Sequence, residues 1–418
     1  MAAQPRVAIV GGGIAGVLLG WRLRRSPRPV ALELFTGGAG VPSSTTTRGV
    51  GGTWRHPISG DATAASGGLV RAFESEPAAC RLAAESLAEL RGSARLRSWA
   101  GYREVGALYL LPPGADRARS LKLVDAMLPG SVAVLDREAL TAAYPLRGLP
   151  AGTTGVLERH AGYLSPARLR AAVLAEVAAA GCRVRQVPVT SVDGAPGAGG
   201  NGVAAVRLAD GSVRGYDAVV VAAGAWTPRL LAAGGLDRDG LRTKQIQYSL
   251  HDVRLPGLGA FVEEVTGFYG RPAGRDTFLL GLPSQRWDVD PAAVEPDPAL
   301  DGRVAAYARR RLGVRLAGPP ARTVASFDCY HEPPCLALRN ASAGSALFTF
   351  TGGSGGAAKV VLAASRDAAG RLMDLLGGPD RAGPVQPGPA TGGAATPAGT
   401  GAAAAAAAAA RRGAEVTR

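Results

Sequence analysis

Four apolar residues in a row, Val7, Ala8, Ile9 and Val10, read as a short buried strand. A glycine-rich turn follows, and apolar residues return over 17–23 at the density of a helix. A second apolar run, 30–34, reads as the next strand. The stretch 36–66 is rich in Gly, Ser and Thr and long for a loop. Alanines, leucines and charges at helical spacing predict a helix over 76–91. A strand over 107–111 is closed by Pro112-Pro113, and 135–144 reads as a short helix ended by Pro145. Ser165 suits an N-cap and Pro166 a first helical turn, so a helix runs from there to Gly181. The runs 182–187, 189–192 and 203–208 are strand-like, and Asp210-Gly211 signals a hairpin. DAVVVAAGAW, 217–226, is continuously apolar, as a parallel strand covered on both faces requires. The unit that opens at Val7 therefore resumes there, far along the chain. Short strands over 245–250, 260–265, 267–270 and 277–282 suggest an antiparallel sheet. A helix over 300–312, a strand over 346–350 and a helix over 357–376 complete the pattern. The stretch 379–418, with nine consecutive alanines at 402–410, has no apolar face and is expected to be disordered.

The turn after the first strand carries the first chemical signal. Gly11 permits the tight turn, Gly13 lets a pyrophosphate approach the backbone, and Gly16 lets helix and strand pack closely. Ile14 and Ala15 begin the helix, whose free N–H groups and dipole favour an anion. Glu33 lies about twenty residues on, the spacing of a carboxylate that holds ribose hydroxyls. Strand, turn, helix and acid together point to a dinucleotide site.

Composition narrows the class. The 418 residues allow two domains or one large one. No run of 18 apolar residues occurs, so no membrane span is expected. The apolar stretch 7–19 is used by the nucleotide turn, so a signal peptide is not expected and the cytoplasm is. Cys80, Cys182, Cys329 and Cys335 lack metal-ligand spacing, which argues against both a metal site and structural disulfides. The net charge is +14, but the arginines are dispersed without interleaved aromatics, so a nucleic-acid partner is not expected. The lysines are only three: Lys122, Lys244 and Lys359. His56, His160 and His251 stand isolated, and no Ser-His-Asp arrangement is apparent.

Four separated features, in order, resemble the D-amino-acid oxidase, glycine oxidase and sarcosine oxidase superfamily. They are GGGIAG with Glu33, AGYLSP at 161–166, DAVVVAAGAW at 217–226 and TGGSGGAAK at 351–359. The resemblance implies FAD as cofactor and a mixed α/β (α+β) fold. In it a discontinuous Rossmann-like FAD-binding domain (1–78, 151–235, 331–378) alternates with an antiparallel-sheet substrate domain (79–150, 236–330). It implies cofactor roles for Ser66 and Gly67, with 43–52 as a rival segment. It also implies such roles for Val189, Gly224, Trp226 and the turn Gly353, Ser354, Gly355 and Gly356. By the same resemblance Arg71 and Lys359 clamp a substrate carboxylate, Tyr269 borders the pocket, and Cys329 is a candidate for covalent attachment to flavin.

The sequence also departs from this pattern. Sarcosine oxidase-like enzymes place an oxygen-activating lysine after a Tyr-Gly-x-Pro segment. Here Tyr269-Gly270-Arg271-Pro272 is present, but Leu279 occupies that position and Pro283 stands near the place of the companion histidine. Arg275 or another cation then substitutes, or oxygen is not the acceptor. The implied function is FAD-dependent oxidation of a C–N bond in an amino acid or carboxylate-bearing secondary amine, with oxygen as acceptor. The alternatives are a biosynthetic flavin dehydrogenase and a flavin-holding subunit of a larger complex. The expected partner is a small-molecule amine.

Overall fold

The structure is a computed structural model and describes residues 4–37, 61–195, 203–238 and 240–377. The segment 43–52, His56 and the tail 379–418 lie outside the described residues.

Two large sheets organise the chain. The first has six strands in the order Ala337–Asn340, Leu347–Thr351, Ala218–Val221, Arg6–Val10, Ala31–Phe35 and Arg183–Arg185. All neighbours are parallel except the first pair, which is an antiparallel edge. Val7, Ala8, Ile9 and Val10 are buried, as are Ala218–Val221, because both faces of this sheet are covered. Helices Ile14–Arg24, Pro77–Gly92, Pro166–Ala179 and Ala357–Gly377 pack together over Val7, Ile9, Leu32 and Leu34. On the opposite face, Ala8, Val10 and Phe35 share a core with the small sheet formed by Val189–Ala195, Val203–Leu208 and Val213–Tyr216. Ser165 does cap its helix, its Oγ accepting from the Arg168 N–H at 3.3 Å.

The second sheet has eight strands. Their order is Arg322–Tyr330, Arg242–Asp252, Thr277–Gly281, Tyr269–Pro272, Ala260–Glu263, Ala107–Leu111, Thr154–Glu158 and Val132–Leu135. It is not wholly antiparallel as expected, since Ala107–Leu111 and Ala260–Glu263 run parallel. The strand Thr154–Glu158 pairs with Ala107–Leu111 and Val132–Leu135. The division expected at 150/151 therefore does not follow sheet membership. Mixed α/β structure on two sheets, the first assembled from distant stretches of chain, is the architecture.

The pattern reading names no strand at Val132–Leu135, Thr154–Glu158, Ala337–Asn340 or Arg322–Tyr330. Arg322–Tyr330 is buried at every position after its first residue, so burial does not distinguish its two faces, although apolar Ala325, Phe327 and Cys329 alternate with polar Ser326 and Asp328. It lies at the edge of the second sheet and touches the helix Ala62–Ala65 and the turns at Gly224–Trp226 and Ser354–Gly356. This strand joins the parts of the site. No helix among the described residues is long and apolar enough to cross a membrane.

Candidate active site

The parallel register puts Val10 beside Val221 and Val221 beside Thr349. The turns after these strands therefore leave the first sheet along its carboxyl edge, where open α/β sheets bind ligands. Gly11 has φ +130°, and a Cβ there would lie 2.3 Å from the Ala222 carbonyl oxygen. A Cβ on Gly16 would lie 2.2 Å from the Gly11 carbonyl oxygen, so helix and turn meet only because both residues lack side chains. The helix Ile14–Arg24 starts at Gly13 with no side-chain cap. The Ile14 N–H donates to Thr63 Oγ1 at 3.0 Å. The Cβ direction of Gly13 meets only that hydroxyl, at 3.5 Å, and that of Gly224 meets nothing within 4 Å. Ala15 follows in the same first turn. A helix start with no capping side chain of its own, its Ile14 N–H held by Thr63, fits the pyrophosphate of a dinucleotide. Gly11→Ala combines a strained φ with a backbone clash, at a cost of about 1–3 kcal/mol from the backbone conformation alone. It is expected to weaken nucleotide binding tenfold or more, read from the nucleotide retained through gel filtration. Full retention would contradict this account of the turn.

Glu33 is placed differently from the expectation. It pairs with Ala8, three residues before Gly11, and is buried. One carboxylate oxygen is bound by Arg185 and the other by the Tyr216 hydroxyl, with Arg214 3.7 Å away. Burial alone would raise this carboxyl, but the hydrogen bonds from Tyr216 and Arg185 hold it below its usual range. The residue of that strand end lying against the glycine turn is Thr36, whose Cβ is 2.8 Å from a Cβ built on Gly12. Val189 opens its strand opposite Leu208 and packs against the shared core. Trp226 packs edge-on against Phe327, ring centroids 6.1 Å apart, so it serves that core too.

The second glycine turn is held by the 161–166 segment. Ser66 Oγ accepts from the Gly68 N–H at 3.1 Å. Gly68, at φ +67°, approaches the Leu164 carbonyl so closely that a Cβ would overlap its oxygen. Leu69–Val70 pairs with Gly162–Tyr163. From the second sheet, Arg271 Nε donates to the Gly67 carbonyl at 2.6 Å, and Leu279 approaches Gly67. Tyr269 crosses Gly281, where a Cβ would lie 2.4 Å from its ring. Burial pushes its hydroxyl up.

The C-terminal turn is strained. Ser354 has φ +58°, a left-handed conformation costly for a side-chain-bearing residue. Gly353 bridges to Tyr330. A Cβ on Gly355 would lie 3.1 Å from Asp328 Oδ2, and one on Gly356 3.1 Å from Lys359 Nζ. The turn thus has an acid on one side and a base on the other. Asp328 is 8% exposed, and its Oδ2 has no hydrogen-bond partner among the described residues. Lys244, also buried, is directly opposite on the neighbouring strand, its Nζ 4.4 Å from the Trp287 ring centroid and 5.6 Å from that of Tyr330. Burial raises Asp328 to about 7 against the pull of Lys244. Burial lowers Lys244 to about 8.

Cys329 is one residue from Asp328 and so points the other way. It packs with Ala325, Phe327 and Leu241, and burial raises its thiol to about 11. A buried, protonated thiol in a core is a poor attachment site, and the side chains of this strand at Gly355 are Asp328 and, farther off, Tyr330.

Arg71 and Lys359 are brought together, but around a protein carboxylate. Glu74 Oε1 is 3.0 Å from Arg71 Nη1 and also binds Lys359 Nζ. Arg71 and Glu74 are each 3% exposed by side chain, and the Arg71 guanidinium lies 4.3 Å from the Tyr109 ring centroid. Burial opposes the Glu74 charge, yet Arg71 and Lys359 hold its carboxyl below the usual range. Nearby, Glu158 Oε2 accepts the Ala72 and Phe73 N–H groups at 2.6 and 3.1 Å. The expected clamp is therefore filled from within.

Of the other candidates, Arg275 is exposed on the hairpin between Tyr269–Pro272 and Thr277–Gly281, so it does not supply the missing cation. Leu279 is 1% exposed. His160 pairs with Glu104 at 2.9 Å, and His251 is buried on Arg242–Asp252. The four cysteines are free, and no group of metal ligands occurs among the described residues. Sequence reading missed Glu74, Lys244, Arg271 and Asp328. Lys244 had a signal in being one of three lysines, and Arg271 stood inside the quoted Tyr-Gly-x-Pro segment.

A family model described as "DAO: FAD dependent oxidoreductase" matches residues 6–371. Among solved structures, L-proline dehydrogenase from P. horikoshii is similar with a TM-score of 0.68 and 14% identity, covering 90% of this chain and 94% of that one. The Tyr258Phe mutant of NikD, described as an unusual amino acid oxidase essential for nikkomycin biosynthesis, gives 0.65 and 19%, covering 89% and 94%. Glycine oxidase from Bacillus cereus ATCC 14579 gives 0.63 and 17%, covering 88% and 95%. No curated protein sequence matches.

Proposed function

The chain belongs to the DAO family of FAD-dependent oxidoreductases, and from that premise we propose that it oxidises the C–N bond of an amino acid or carboxylate-bearing secondary amine to an imine, with molecular oxygen as acceptor. The observation that carries this reading is Asp328, a buried carboxylate with an unpartnered oxygen beside the Gly355 turn. An unpaired buried carboxylate is costly unless a cation meets it, and a protonated amine is such a cation.

The residues fit the cofactor. The start of Ile14–Arg24 and the glycines 11, 13 and 16 suit its pyrophosphate. The backbone N–H groups ahead of Ala357–Gly377 suit negative charge on its ring system. Bound FAD would supply the acceptor for the hydride equivalent, two electrons with one proton, lost by the substrate carbon. The chain's own residues prepare that step. Asp328 Oδ2 takes a proton from the substrate ammonium, so an N–H bond breaks, an O–H bond forms, and the nitrogen lone pair becomes available for the C=N bond. Tyr269 and Tyr330 border this region, each close enough to Asp328 to feel its charge. Lys244, opposite Asp328, favours the ionised acid that the proton transfer needs.

The test is anaerobic titration of the purified flavoprotein with a panel of amino acids and N-alkyl amino acids. At least one is expected to bleach the visible flavin absorbance. If dithionite bleaches the protein and no amine does, the flavin-holding subunit becomes the better reading. One observation favours the dehydrogenase alternative: Leu279, at the position of the oxygen-activating lysine in sarcosine oxidase-like enzymes, is a fully buried hydrocarbon side chain near Gly67. Admitting air after bleaching decides between the two. Rapid return of colour with hydrogen peroxide supports oxygen, and slow return without peroxide supports another acceptor.

A further inference from the structure

Arg71, Lys359 and Arg311 each touch a carboxylate, Glu74 for the first two and Glu263 for the third. Lys244 faces Asp328 across the strands. Arg271 is different. It extends from Tyr269–Pro272, is largely withdrawn from solvent, and has no ion-pair partner among the described residues. Its Nε donates to the Gly67 carbonyl at 2.6 Å and its Nη1 to the Pro272 carbonyl at 2.7 Å. The guanidinium carries five N–H donors, so three remain, including both on Nη2. The plane of the group rests on the Tyr163 ring, 4.3 Å from its centroid.

The surroundings are those of a binding site. The groups that act electrostatically on Arg271 are Tyr163, Tyr248 and Tyr269, with no carboxylate among them. All three tyrosines are half-buried, and none of their hydroxyls has a hydrogen-bond partner among the described residues. Gly67, to which Arg271 is fixed, belongs to the turn that the family resemblance sets beside the flavin. A half-buried guanidinium with free donors needs an anion, and its fork geometry matches a carboxylate.

We propose that Arg271 holds the substrate's carboxylate, with Tyr163, Tyr248 and Tyr269 forming the polar wall around it. This rests on the amine-oxidation reading for its substrate class. The anchored Nε and Nη1 set the orientation of the fork, and Nη2 presents the open donors. Asp328 for the ammonium and Arg271 for the carboxylate, with Tyr269 near both, would recognise a zwitterion at its two ends. Arg71 and Lys359 then serve as structural partners of Glu74.

The experiment is calorimetric titration of the flavin-loaded protein with propionate, which carries the carboxylate and no amine to oxidise. Arg271→Gln is expected to weaken binding about tenfold to hundredfold, as loss of a charge-assisted hydrogen-bond pair should. Arg271→Lys keeps the charge, loses the planar fork, and is expected to bind several-fold more weakly than the wild type. The exposed Arg275→Gln, on the same hairpin, is expected to match the wild type. Wild-type affinity in either Arg271 variant overturns the assignment, as does failure of the wild type to bind propionate. Failure of the amine-oxidation reading looks different: no amine bleaches the flavin, while Arg271-dependent propionate binding survives.

Discussion

Glu74→Ala is expected to destabilise the protein by about 3–5 kcal/mol, the usual cost of removing one member of a buried ion pair. Its carboxylate is shared by Arg71 and Lys359, and Arg71 is only 3% exposed by side chain. Without Glu74, two cations remain side by side in a region that water scarcely reaches. Glu158 does not replace it, because burial raises that carboxyl and its Oε2 is engaged by the Ala72 and Phe73 N–H groups. A denaturant titration followed by circular dichroism measures the effect. Glu85→Ala is the comparison: Glu85 binds Arg81 and Arg366, both of which are largely solvent-exposed. Pairs of that kind contribute about 0–1 kcal/mol. Equal midpoints for the two variants would show that the Glu74 cluster is not a structural unit.

Asp328→Asn is expected to slow flavin reduction by about a hundredfold to ten-thousandfold, the range for loss of a positioned proton acceptor. The amide keeps the volume of the side chain and cannot take the proton. The pH dependence gives a second signature. Asp328, raised to about 7 by burial, accepts a proton only when ionised, and its ionised fraction grows as pH rises through that value. The wild-type rate should therefore climb with pH below about 7 and level off above it. The climb should be absent from Asp328→Asn. Lys244→Met removes the charge that holds Asp328 down, so its rising limb should move to higher pH. Anaerobic stopped-flow reduction across pH measures all three proteins. A wild-type rate in Asp328→Asn would remove this residue from the proton transfer.

Cys329 and Asp328 show how finely the tertiary structure divides neighbouring residues. Side chains alternate across a strand, so a one-residue offset exchanges the core for the site. Cys329 faces Phe327 and Leu241, while Asp328 faces the Gly355 turn. The alternation of Ala325, Phe327 and Cys329 with Ser326 and Asp328 is a strand period, but burial of both faces hides which of them carries the chemistry. Glu33 makes the same point by register. Its spacing from Gly11 matched a ribose ligand, but pairing with Ala8 sets it below the strand end, between Arg185 and Tyr216.

Local rules made part of the protein legible in its residues alone. Short apolar runs became buried strands, Ser165 and Pro166 started a helix, and Gly11, Gly13 and Gly16 marked a turn with a specific steric need. The order of four motifs identified the family before any contact was known. Which charges are spent and which are free depends on the fold. Arg71 and Lys359 look like a pair of carboxylate ligands in the sequence, yet Glu74 satisfies both. Arg271 looks like one arginine among many, yet the fold withdraws it from solvent and gives it no acid. The physical reason is that burial and ion pairing depend on residues brought together from distant stretches of chain, as Lys359 is to Glu74 and Arg271 to Gly67.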